Sequence, residues 1–151
     1  MKSIYFITDF TDQLFVRAFK QQMLEENDII EINNLESLLN KLNAVGDSFA
    51  YVKINESDEV IGFILGQKIV LSNAFFQEFY GYIKIVWKSE RFDDKSCYDE
   101  LLQLCEKRFE KMGITQFAVD CEIAKESVFL RNQYFKNECL LHNGKQVFCK
   151  K

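Results

Sequence analysis

Between Lys88 and Lys95 the chain reads Lys-Ser-Glu-Arg-Phe-Asp-Asp-Lys, a polar run between a strand pattern and a helical pattern. Upstream, Ile83, Ile85 and Trp87 alternate with Lys84 and Lys88, while Val86 thickens the pattern; this predicts a strand with a buried face. Downstream, Tyr98, Leu101, Leu102, Cys105, Phe109 and Met112 share one face of a helix predicted from Ser96 to Met112, with Gly113 as its stop signal. In an α/β domain, a helix N-terminus facing a strand end concentrates unpaired N–H groups and partial positive charge, the conditions for holding an anion. Arg91 and Lys95 would add cations there, and Asp93 and Asp94 would oppose them. Two unit charges ~5 Å apart repel by roughly 3 kcal/mol at an effective dielectric of 20, or about two decades of affinity. The loop also lacks glycine, the residue that lets a backbone approach a phosphate closely. The other reading is a charged, solvated loop before a capped helix.

Other reactive side chains are sparse. Cys97 stands at the start of the helix, where a thiolate is favoured, and is a candidate for reactivity or redox sensitivity. The five cysteines (Cys97, Cys105, Cys121, Cys139, Cys149) are odd in number and form no CxxC pair. They predict neither a disulfide framework nor a metal site, and most are expected as small core residues. His142, the only histidine, precedes Asn143-Gly144 with no Ser or Cys motif beside it, so it is a poor catalytic base. No GxSxG, P-loop or HExxH motif is present.

The elements that must position these groups are well patterned. With 48% apolar and 15% aromatic residues, the chain has the makings of a globular core. Without proline or a Gly/Ser-rich linker, residues 1–151 are expected to form a single domain. A net charge of −4 weighs against nucleic acid as a partner. No apolar run approaches the roughly 18 residues of a membrane span, and the start is too short in apolar residues for a signal peptide, so a cytoplasmic location is expected. Ser3 to Thr8 predicts a strand. Thr11 can cap a helix with Phe15, Ala18, Phe19 and Met23 on its apolar face. Asn34 can cap a second, striped by Leu35, Leu38, Leu39, Leu42 and Val45. Three strands follow, Ser48–Ile54, Glu59–Gln67 (reaching toward Leu71) and Phe79–Lys88, with short connections that favour an antiparallel meander. Beyond the central helix, its Ser96 and Asp99 spaced as a capping box, come a strand over 114–120, a helix over 127–135, and a hairpin turning at Asn143-Gly144.

This β-α-α-β-β-β-α-β-α-β-β order resembles the GNAT family of acyl-CoA N-acetyltransferases across nearly the whole chain. Glu59-Val60-Ile61-Gly62-Phe63-Ile64 looks like the family's third strand and Tyr82 to Val86 like its fourth; Asp99-Glu100-Leu101-Leu102 falls where its cofactor helix carries paired leucines. Phe129 to Phe135 looks like the segment that usually ends in Gly-Phe. The resemblance implies a mixed, centrally splayed α/β sheet flanked by helices. It implies acetyl-CoA as cofactor, a small-molecule or peptide amine as acceptor, and a monomer or homodimer. The net negative charge favours a cationic amine, and residues 11–46 would build its site.

The resemblance also assigns roles. The family holds the CoA pyrophosphate on an (Arg/Gln)-x-x-Gly-x-(Gly/Ala) loop. Counting from Val86 puts the Arg on Arg91 and the first Gly on Asp94; counting back from Leu101-Leu102 puts the glycines on Ser96 and Tyr98 and the Arg on Asp93. The cofactor contacts implied are Ile85, Val86, Trp87, Arg91, Lys95, Ser96 and Cys97, the strand residues through backbone donors that polarise the thioester. Glu122 is the implied base, with Glu78 in reserve. With Phe135 as the motif's Phe, the family's tyrosine acid falls on Leu130, which cannot give a proton; Tyr134, one turn later, and Tyr98 are the substitutes. The missing glycines and Leu130 leave a second reading, a degenerate module that binds a ligand or protein without catalysis.

Overall fold

A computed structural model describes residues 3–27, 33–72, 77–120, 125–137 and 147–150. The chain opens with β1 (Ser3–Ile7), α1 (Gln13–Glu25) and α2 (Leu35–Ala44). Strands β2 (Ser48–Ile54), β3 (Val60–Ser72) and β4 (Gln77–Lys88) follow, then α3 (Cys97–Lys111), β5 (Phe117–Asp120), α4 (Glu126–Arg131), β6 (Phe135–Asn137) and β7 (Val147–Lys150). The described strands form one sheet in the order β1-β2-β3-β4-β5-β7-β6. The first four make the expected antiparallel meander; β5 joins β4 in parallel and β7 lies antiparallel to β5.

Each face of the sheet is covered by two helices. Phe15, Ala18, Phe19 and Met23 of α1 and Leu39 and Leu42 of α2 pack with Val52, Phe63, Leu65 and Trp87. Across the sheet, Leu101, Leu102, Cys105 and Phe109 of α3 and Phe129 of α4 pack with Ile64, Ile83 and Val86. Each Leu, Ile, Val, Phe or Met side chain among them contributes about 1.5–3 kcal/mol on full burial. No helix of the described residues is long and apolar enough to cross a membrane.

Local chemistry moves several boundaries. Asp12, not Thr11, caps α1: its carboxylate accepts the Leu14 N–H, while the Thr11 hydroxyl donates to Asp9. Asn34 is the N-cap of α2 but makes no side-chain capping bond. Ser96 and Asp99 form no capping box, because Asp99 is taken by Arg131 and Asn132 of the α4 end. Strand β5 starts at Phe117 because a Schellman motif consumes the residues after α3: Gly113 (φ 80°) donates to the Glu110 carbonyl and Ile114 to that of Phe109.

The same motif ends α4 earlier than the predicted Phe135. Gln133 (φ 71°) donates to Leu130 and Tyr134 to Phe129, and the Phe129 and Tyr134 rings lie 5.9 Å apart. Phe135 therefore begins β6 rather than closing a helix. The Asn143-Gly144 hairpin falls outside the described residues.

Candidate functional site

Among the described residues, strands β4 and β5 pair over Gly81–Ile83 and Phe117–Val119. Beyond this pairing Asp120 is not matched to Lys84, β4 runs on to Lys88, and a cavity opens as a gap between Val86 and Val119. A bulge sits at the parting point: Leu65 pairs with Ile85 and Gly66 with Ile83, leaving Lys84 as the extra residue. In an antiparallel ladder, a residue's N–H and C=O point to one side and alternate along the strand. Gly81 donates to Gln116 on the β5 side, so an unbroken strand would turn Ile85 toward the gap. The bulge shifts this alternation by one. Ser89 N–H donates to Ile61 O, which sets Trp87 and Ile85 toward β3 and Val86 toward the gap. Consistently, Val86 O accepts a 2.6 Å hydrogen bond from Lys125 Nζ across the gap.

Two cavities meet here. A narrow one of about 90 Å³ lies along the gap, lined by Val86, Val119, Lys125 and Glu26 among others. A larger one of about 290 Å³ lies between α1, α2 and the bulge, walled by Phe19, Met23, Leu38, Leu42, Leu65 and Ile85. Gln22, Lys84 and Ile85 belong to both. Gln22 Nε2 donates to Glu26, which fixes the amide's orientation, and Gln22 Oε1 is buried without a hydrogen-bond partner. The sequence reading missed Gln22, Glu26 and Lys125; only the 3.6-residue spacing of Gln22 and Glu26 on α1 hinted that they act together.

Just beyond the end of β4, the loop before α3 is organised around a buried lysine. Lys53 of β2, 2% exposed, places Nζ 2.7 Å from Asp94 Oδ2 and 2.7 Å from Glu100 Oε1. Burial pulls the Lys53 ammonium toward neutrality, but the two carboxylates outweigh it and hold it above its usual value. Lys53, then Ser96, hold Glu100 below the usual carboxylate range. Asp94 Oδ1 accepts the Ser96 N–H at 3.3 Å, and the Asp94 carbonyl accepts the Cys97 N–H at 3.4 Å. Glu25, at the end of α1, accepts the Ser89 hydroxyl at 2.8 Å and the Glu90 N–H at 3.3 Å. The Arg91 N–H donates to Ser89 Oγ.

These contacts test the implied cofactor. The gap, with the polar groups of Val86 turned into it, fits a thioester and its pantetheine arm. The loop does not fit a pyrophosphate held on backbone amides: those of Ser89, Glu90, Arg91, Ser96 and Cys97 have acceptors within the chain, and a carboxylate occupies the start of α3.

The other sequence-derived candidates separate. Arg91 and Lys95 are exposed, with Arg91 3.1 Å from Glu59 and lying over the Phe92 ring. Ser96 directs its hydroxyl at Asp94 and Glu100. Cys97 is fully buried and burial pushes its thiol up to about 12, so it is no ready thiolate. Tyr134 lies in the core with its hydroxyl donating to Glu106 at 2.7 Å, and burial pushes its phenol far up; the Schellman turn has carried it off the helical face on which an acid was sought. Gln133 takes the left-handed position that closes α4, where helices commonly carry glycine. Leu130 is exposed and Phe129 is buried, and neither has a proton to give. Tyr98 packs half-buried against the core. Glu78 bonds to Tyr80 at the far end of β4, roughly 26 Å along the strand from Val86. Glu122 lies outside the described residues.

No protein-family model matches the chain, and no curated protein matches its sequence. Solved structures do. A Clostridium acetobutylicum protein described as an acetyltransferase, solved with acetyl-CoA, has a TM-score of 0.75 at 12% identity, covering 95% of this chain and 96% of that one. The PaiA N-acetyltransferase of Thermoplasma acidophilum, complexed with coenzyme A, has a TM-score of 0.69 at 16% identity, covering 99% of both chains. Glucosamine-6-phosphate N-acetyltransferase of Arabidopsis thaliana has a TM-score of 0.68 at 12% identity, covering 95% and 97%. The chain has the GNAT acyl-CoA N-acyltransferase fold.

Proposed function

We propose that this GNAT-fold chain is an acetyl-CoA-dependent N-acetyltransferase acting on an amine. The observation that carries the reading is the β4–β5 gap with Val86 turned into it by the Lys84 bulge. Its fold neighbours solved with acetyl-CoA and with coenzyme A support it. Acetyl-CoA, when bound, supplies the acyl thioester. The Val86 N–H polarises the thioester carbonyl, a donor whose strength does not depend on side-chain type. Glu26, on the gap cavity, takes the proton from the acceptor amine, with Glu122 as the alternative base. Arg91 and Lys95 hold the phosphates through their side chains, in place of the amides of Ser96 and Cys97. Ile85 forms part of the wall of the gap rather than a donor, and Trp87 packs in the core under α1.

Thermal unfolding with millimolar acetyl-CoA, with CoA and ATP as controls, tests the binding. A ligand at 100 times its Kd adds about 2.7 kcal/mol, a rise of roughly 5–10 °C for a chain of this size. No rise with either acetyl-CoA or CoA sinks the reading. Thiol release in the presence of an amine, compared in Glu26→Gln and Glu122→Gln, then identifies the base.

A second reading has its own support in the Lys53–Asp94–Glu100 cluster, which fills the anion position with the chain's own carboxylates. In that reading the chain is a binding module for a ligand or protein partner. It predicts that any acetyl-CoA that binds is neither hydrolysed nor transferred.

A further inference from the structure

The cavity between α1, α2 and the bulge carries a chemistry opposite to the chain's net charge. Its wall is apolar (Phe19, Met23, Leu38, Leu42, Leu65, Ile85), and its polar members are Gln22, Gln67, Lys41 and Lys84; no carboxylate of the described residues lines it. Neither Lys41 nor Lys84 pairs with a carboxylate among the described residues, and both are exposed at the rim. At about 290 Å³ the cavity is at the small end of ligand sites, which run roughly 300–1,000 Å³. A polyamine would bring two or more ammonium groups to a lysine-rimmed apolar cavity; one could meet Glu26 at the gap, and the rest would face Lys41 and Lys84 with no carboxylate among the described lining residues. An aminoglycoside would bring the same charges in a larger body.

The junction with the gap narrows the class further. Gln22 and Lys84 line both cavities, one offering a buried carbonyl oxygen without a donor and the other an ammonium with no carboxylate partner among the described residues. An amine donor and an anion on neighbouring atoms satisfy both at once, with an apolar group pointing into the cavity. Resting on the transferase reading above, we infer that the acceptor is an α-amino acid with an apolar side chain. Its amine lies against Gln22 beside the gap, its carboxylate against Lys84 with Lys41 behind, and its side chain among Phe19, Met23 and Leu42. In the transfer, the amine nitrogen bonds to the acyl carbon and the carbon–sulfur bond breaks with its electron pair going to sulfur. The proton lost by the amine nets out on the thiol.

The test uses the full chain, acetyl-CoA, and five amines: leucine, phenylalanine, leucinamide, phenylalaninamide and spermidine. Products are read by mass spectrometry, and binding of each amine alone by calorimetry. The expected result is acetylation of leucine and phenylalanine at a kcat/KM at least tenfold above their amides, with spermidine lowest. Lys84→Glu should collapse the leucine-to-leucinamide ratio toward one or below; a ratio within one enzyme cancels any change in donor binding. Preference for spermidine, or a ratio unmoved by Lys84→Glu, overturns the inference. An acetyl-CoA thermal shift with no binding or acetylation of either amino acid overturns it too, and leaves the transferase reading standing. Binding of leucine that Lys84→Glu weakens, without any acetyl-CoA shift, upholds the cavity's chemistry and removes the transferase. Neither binding overturns both.

Discussion

The two ends of the β4–α3 segment have been treated differently. Beside Val86 the sheet gives up its pairing, and backbone polar groups face a gap. Eleven residues on, at the start of α3, the Asp94 carboxylate accepts a backbone N–H, and a buried lysine pairs with it and with Glu100. The gap depends on topology and one extra residue in a strand, which many side chains allow. A phosphate cradle depends on glycine, which this loop lacks. A gap of this kind therefore tolerates more sequence change than a phosphate cradle built on glycine.

The largest break in this comparison comes from Lys53→Met. It removes the ammonium paired with the buried Asp94 (5% exposed), and breaking a buried pair costs about 3–5 kcal/mol. Thermal unfolding should fall by roughly 6–20 °C, and Lys53→Met with Asp94→Leu should recover most of the loss. A fall of only a degree or two would mean the loop is solvated rather than locked. Next is Gly62→Ala. Its Cβ would stand 2.3 Å from the Trp87 carbonyl oxygen and 3.1 Å from Cys97 Sγ, so β3 must shift against both β4 and α3. Overpacking of this kind costs typically 1–3 kcal/mol, whereas Gly46→Ala, with nothing within 4 Å, should be near neutral in urea unfolding. Asp94→Asn keeps an acceptor for the Ser96 amide and removes the charge. It should tighten acetyl-CoA by about threefold to tenfold in calorimetry, less than the two decades that an unpaired aspartate implies, since Lys53 already cancels much of the repulsion. Unchanged or weaker affinity would place the phosphates away from this loop.

How far the sequence was legible follows the same division. The order of elements, the α1 stripe and the paired leucines of α3 were legible because burial imposes helical and strand periods on local sequence. Tyr134 was misplaced because a left-handed glutamine, which rarely advertises a helix end as glycine does, closes α4 at Gln133. Asp94 was read as repulsive because its partner Lys53 lies 41 residues away, and nothing local reveals that a lysine in a strand of buried residues is waiting for a carboxylate. Lys84 looked like ordinary alternation, yet as a bulge it decides which amide faces the gap. Periodicity reports burial, and the site is built from long-range charge pairing and strand register.

The smallest effect is also the sharpest on sign. Glu100 is held below its usual value, chiefly by its hydrogen bond to Lys53. A carboxyl lowered in the folded state binds fewer protons there than in the unfolded chain. Its contribution is therefore present above the unfolded value of about 4.3 and lost as pH falls through the lowered folded value. With the Glu100 side chain 41% exposed, solvent screens the pair, and the contribution is about 1 kcal/mol or less. Glu100→Gln should thus lower the melting temperature by a few degrees at pH 7. The gap to wild type should begin to narrow as pH falls below about 4.3 and close once pH has passed the lowered folded value, where the wild-type carboxyl is itself neutral. Lys53 has the opposite sense: held above its usual value, it stabilises below about pH 10.4 and loses that contribution as pH rises through its folded value. If the Glu100→Gln difference stayed constant from pH 7 to pH 3, the Lys53 pairing would not be setting it. The start of α3 would then be as open to an outside anion as the gap is to a thioester.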